Sequence, residues 1–82
     1  MRIIFSTCSR AQADELVLTL LREGLIGCGN VVPGVRSHYW WQGEVCSDEE
    51  AILVMETTLE RSQAAAARLA EIHAYDVPKI VT

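Results

Sequence analysis

No stretch of this sequence approaches the roughly 20 consecutive apolar residues that a membrane-spanning helix requires, which excludes a helical membrane anchor and predicts no membrane partner. At the N-terminus, Met1 to Phe5 is apolar too briefly for the core of a secretion signal before Ser6 to Arg10 turns polar. Cysteine is scarce. Cys8, Cys28 and Cys46 are odd in number and widely spaced, matching neither a disulfide framework nor a C-x-x-C zinc pattern, so a reducing cytoplasm is the expected compartment. Basic charge is also short: 7 Lys and Arg against 11 Asp and Glu leave a net charge of −4, with no basic stripe to displace phosphate counterions, which excludes a nucleic-acid partner. Linkers and repeats are missing too, so the 82 residues form a single domain. Neither H-E-x-x-H nor G-x-x-x-x-G-K-[ST] occurs, and no Ser-His-Asp order has supporting motifs. The chain is therefore not expected to be an enzyme or to carry an organic cofactor.

What is present is a regular alternation of strand-like and helix-like segments. Arg2 to Cys8 is rich in β-branched and aromatic residues and predicts a strand. "SRAQ" then places Gln12 three residues after Ser9, a capping-box spacing, and Ala13, Leu16, Leu20 and Leu21 recur at helical intervals until Gly24. Ile26 to Val32 predicts a second strand, broken at Pro33-Gly34 and resuming from Val35 to Trp41. Gln42-Gly43 offers a two-residue hairpin loop, and the chain returns through Val45 and Glu50 to Glu56. Thr57-Thr58 before Glu60 opens a second helix whose buried line is Ala65, Leu69 and Ile72. Asp76-Val77-Pro78 ends it, and Val77 to Thr82 predicts a last strand. The order β-α-β-β-α-β predicts an α+β fold, the ferredoxin-like sandwich: a four-stranded antiparallel sheet with two helices on one face.

The other face of that sheet needs cover, because Ala51 to Met55 is apolar on both alternating sides. Both tryptophans fall in "HYWWQGE", at the tip of the predicted hairpin. Alternation puts Tyr39 and Trp41 on one side and His38 and Trp40 on the other, beyond the ground two helices can shelter, so Tyr39, Trp40 and Trp41 are expected at an interface. Of the two tryptophans, Trp41 is the one expected to face a neighbour, since Val35, Ser37 and Tyr39 continue its side. A helix-terminal histidine and lone cysteines have ordinary structural roles as well. Cys28, inside an apolar strand, is expected in the core; Cys46 is expected to be exposed, and Asp48-Glu49-Glu50 to be a solvated approach to the strand.

The segments "LIGCGNVVPGVRSHYWWQGEV", "EEAILVMETT" and "HAYDVPKI" together resemble the CutA family of divalent-cation tolerance proteins, whose motifs include A-C-x-N-x-x-P-G-x-x-S-x-Y-x-W-x-G and H-P-Y-x-x-P. The resemblance covers nearly the whole chain. It implies a PII-like ferredoxin-like subunit assembled as a homotrimer, and a single CutA-like domain over residues 1–82 that lacks the family's C-terminal segment. It also implies copper, or another divalent transition metal, bound by a first-strand thiol and a histidine ending the second helix. Those positions are Ser6 and His73, so Cys8, two residues on and on the same side of the strand, is the substitute thiol. A PII-like sensor or scaffold that binds a small molecule or protein between subunits is the alternative reading. Ala74 stands where the family has proline, Gly29 where it has a β-branched residue, and Glu56 where it has lysine.

Overall fold

A computed structural model describes all residues from Met1 to Thr82. Its elements run β1 (Arg2–Cys8), α1 (Arg10–Arg22), β2 (Cys28–Trp41), β3 (Glu44–Thr57), α2 (Leu59–Ile72) and β4 (Ile80–Val81). The four strands form one antiparallel sheet in the order β2-β3-β1-β4, the ferredoxin-like arrangement that the sequence predicts. Two elements are shorter than expected. β2 starts at Cys28, after Ile26 has turned into the core and Gly27 N–H has bonded Glu56 O; β4 has only two residues, because the chain from His73 to Lys79 is occupied elsewhere.

One face of the sheet is closed by the helices. Ile4, Ser6 and Cys8 of β1 lie opposite Met55, Leu53 and Ala51 of β3, all at most 1 % exposed, under Ala13, Leu16, Val17, Leu20, Ala65 and Leu69. α1 packs so closely that a Cβ on Gly29 would come within 2.4 Å of Val17 Cγ1. Gly29 is thus matched to a valine across from it. Leu21, expected on the buried line, is at the exposed rim, and Val17 takes the buried place.

The helix starts differ from each other. Thr58 caps α2 as expected, its hydroxyl accepting Arg61 N–H at 3.2 Å, but Ser9 makes no side-chain cap of α1. Gln12 instead reaches the end of α2, donating to Ile72 O and accepting from Ala74 N–H, both at 3.2 Å. A proline at position 74 would have no N–H to offer. The capping-box reading is therefore corrected: a tertiary bond between the helix ends outcompetes the local cap.

β2 and β3 extend well past this covered region as a hairpin, giving the molecule dimensions of 39 × 21 × 20 Å. Val32 pairs with Ile52 and Val35 with Glu50, so Pro33 and Gly34 together oppose Ala51 alone. The extra residue is a β-bulge. It exchanges the side-chain parity of β2, putting Asn30 and Val32 on the same face as Val35, Ser37, Tyr39 and Trp41.

Candidate functional site

The open face of the sheet carries Ile3 and Phe5 of β1, Val32 of β2, Ile52 and Val54 of β3, and Val81 of β4. None of these is buried; Ile3 is 44 % exposed, Val32 45 % and Val81 55 %. The apolar surface runs on along the hairpin, where Trp40 is 74 % and Trp41 63 % exposed. Neither ring folds back on the core. The expected alternation holds: Tyr39 donates to Asp48 Oδ2 at 2.5 Å on one side, and His38 Nδ1 meets Ser47 Oγ at 2.7 Å on the other. Bonding to Asp48 pushes the Tyr39 phenol up to about 12.

At the base of the hairpin the open face holds a cleft of about 550 Å³, lined among others by Thr7, Tyr39, Trp41, Asp48, Glu50, Tyr75 and Lys79. Glu50 is the feature that the sequence reading missed. Expected in a solvated acidic run, it is only 8 % exposed and accepts Tyr75 O–H on Oε2 at 2.5 Å. Burial, then this bond, raises the Tyr75 phenol strongly, so Tyr75 donates as a neutral phenol. The signal lay in the parity of β3: Glu50 falls in step with Ile52 and Val54.

The segment after α2 is what covers Glu50. His73 caps α2 and is 7 % exposed. Its Nδ1 accepts Tyr75 N–H at 3.1 Å, so Nε2 carries the ring proton and donates to Thr7 O at 2.8 Å. The Tyr75 ring lies 4.7 Å from the imidazole, and Ser6 O–H donates to Lys79 O at 2.6 Å. Ser6 thus fastens the chain that leads into β4.

His73 therefore stands beside the first strand, bonded to the residue preceding Cys8. The soft donors of this pair suit a thiophilic transition ion. Both imidazole nitrogens are already bonded, however, and Cys8 has no exposure, with burial and then Glu50 pushing its thiol up. No third His, Cys, Asp or Glu converges on them into a group that could hold a metal ion. An ion at this pair would have to displace Tyr75 N–H from Nδ1 and deprotonate Cys8. The remaining cysteines differ in part from expectation. Cys28 is exposed rather than in the core, because it opens β2 on the uncovered face opposite Glu56, and Cys46 is half-buried beside Tyr39.

A four-stranded antiparallel sheet with two helices on one face, and a long aromatic hairpin, define a ferredoxin-like α+β fold. Within that class the chain belongs to the CutA1 divalent ion tolerance protein family, whose model matches residues 2–82. It is 37 % identical over 79 residues to the divalent-cation tolerance protein CutA of Thermus thermophilus, covering 96 % of this chain and 77 % of that one. Against the chloroplastic protein CutA 1 of Oryza sativa it is 32 % identical over 80 residues, and spans 45 % of that longer protein. The solved structure of the PII-like protein CutA from Nostoc sp. PCC 7120, in apo form, superposes with a TM-score of 0.93 at 31 % identity, over 99 % of this chain and 77 % of that one. No helix here is long and apolar enough to cross a membrane.

Proposed function

We propose that this chain is the subunit of a cytoplasmic homotrimer in which the hairpin bearing Tyr39, Trp40 and Trp41 joins neighbouring subunits, and the cleft at its base receives a small ligand as in a PII-like sensor. The carrying observation is the exposure of both tryptophans on a hairpin that continues an apolar, uncovered sheet face. Apolar surface of that extent is characteristic of association surfaces, and aromatic residues are enriched at their centres. Head-to-tail contacts that close on themselves give cyclic assemblies, and the likeness to a PII-like CutA structure supports that geometry. The reading is non-enzymatic: binding, not bond-making, is assigned to the cleft. Sedimentation of the chain at micromolar concentration tests it, with a threefold subunit mass expected and a stable monomer overturning it.

A second reading follows from the family, whose divalent-cation tolerance points to a resident copper or similar transition ion. His73 and Cys8 are its proposed ligands, favoured by the His73 bond to Thr7 O beside Cys8. It ranks second because both ring nitrogens are engaged. Copper titration of the protein and of His73→Ala and Cys8→Ser tests it: loss of stoichiometric uptake in both variants supports the site, whereas uptake abolished only by Cys46→Ser assigns the ion to a more accessible thiol.

A further inference from the structure

Glu50 is a buried acid with no basic side chain paired to it. A glutamate is almost never this deeply buried unless it is paired, since removing a carboxylate from water costs far more than one neutral hydrogen bond returns. Glu50 is 8 % exposed, yet its one hydrogen bond comes from the neutral Tyr75 phenol. The ion pairs of the molecule are Arg10–Glu49, Arg22–Glu15, Arg68–Glu23 and Arg68–Glu71, and none involves Glu50. Its Oε1 accepts nothing, and no fully buried side-chain oxygen lacks a partner, so Oε1 is reached from the cleft that Glu50 lines. The missing cation would have to come from there.

The rest of the cleft says which kind of cation. Asp48, Glu50 and Asp76 face a single ammonium, Lys79, so the lining is acidic and disfavours an anionic ligand. Tyr39, Trp41 and Tyr75 supply aromatic surface. Both carboxylates are oriented by phenols, Asp48 by Tyr39 and Glu50 by Tyr75, each at 2.5 Å. Asp48 and Glu50 are two residues apart on one face of β3, which separates their backbones by roughly 7 Å. A hard divalent ion requires about six or more oxygen ligands, and the acids here do not converge into such a group. An alkylammonium requires less: one carboxylate for the charge and an aromatic face within about 6 Å, tryptophan being the best.

We infer that this cleft binds a small organic amine, with Glu50 as counter-ion to its ammonium group, Trp41 and Tyr39 covering its methylenes, and Asp48 placed for a second ammonium. The inference rests on the ligand-cleft reading above and names the chemical class of the ligand. A diamine of about four carbons matches the carboxylate spacing better than a monoamine.

The test is calorimetric titration of the assembled protein with 1,4-diaminobutane, butylamine, and 1,4-butanediol as an uncharged isostere, with Mg²⁺ and Zn²⁺ in parallel and subunit mass measured on the same samples. The diamine is expected to bind more tightly than butylamine, and the diol not at all. Glu50→Gln should weaken diamine binding at least tenfold, Asp48→Asn several-fold, and Asp14→Asn, an exposed α1 residue that does not line this cleft, not at all. Should Glu50→Gln fail to fold, Asp48→Asn carries the test, since that side chain is exposed. Equal binding of the diol, diamine binding indifferent to both cleft variants, or Glu50-dependent binding of Mg²⁺ or Zn²⁺ alone would overturn the inference. So would a trimer that binds no amine but changes mass in Glu50→Gln, which would give the counter-charge to a second copy of the chain. Amine binding by a stable monomer would keep the inference and remove only the trimeric reading.

Discussion

The two ends of the sheet are built on opposite terms. Around Leu53 every inward side chain meets a helix, and Ile4, Leu20, Leu53, Met55 and Leu69 have no exposed surface. Around Trp41 the same two strands continue with no helix above or below them, and large aromatics stand in solvent. One continuous sheet thus has a finished half and an unfinished half. The packed core lies in the first, and the proposed partner and ligand surfaces lie in the second. The boundary between them is the bulge at Pro33-Gly34 together with the His73 to Lys79 segment, which covers Glu50 and Thr7 and leaves the rest of that face open.

That division breaks most severely where the finished half is emptied. Leu53→Ala should cost about 2–5 kcal/mol of subunit stability, read by denaturant unfolding, because the site is enclosed on all sides and leaves a cavity. Trp41→Ala should cost about 2 kcal/mol or more in assembly, read by mass against concentration, while leaving the subunit's own fold intact. An unchanged oligomer in both Trp41→Ala and Trp40→Ala would place the interface elsewhere.

Gly29→Val should destabilise by about 1–3 kcal/mol through overpacking on Val17. Adding Val17→Ala should recover most of the loss. Additive costs in the double variant would show that the close approach of α1 is not what selects glycine there.

Proton chemistry on the hairpin is a finer probe. Tyr39 has its pKa raised from 10 to about 12, so the contribution of its bond to Asp48 is fully present below pH 10 and disappears as pH rises through 12. Ultraviolet titration should show a late phenolate step that Asp48→Asn moves earlier. The smallest effect belongs to Glu49→Gln, which removes an exposed 3.7 Å contact with Arg10 and should change stability by less than about 0.5 kcal/mol in thermal unfolding.

The sequence by itself determined the element order, the covered face and the hairpin, because these follow from local periodicity and turn chemistry: Gly24 and Gly43 do take positive φ, and Ala65 and Leu69 do line the core. It also placed Tyr39 and Trp41 opposite His38 and Trp40, since strand alternation is a property of the backbone alone. What the tertiary structure decided are the residues whose partners lie far along the chain. Gln12 leaves its cap for Ala74, Gly29 answers Val17, Cys28 falls on the uncovered face, and Glu50 is buried by a tyrosine 25 residues away. Periodicity carries no information about such pairs, because burial of a polar group is settled by which segment happens to pass over it, and only the folded chain fixes that.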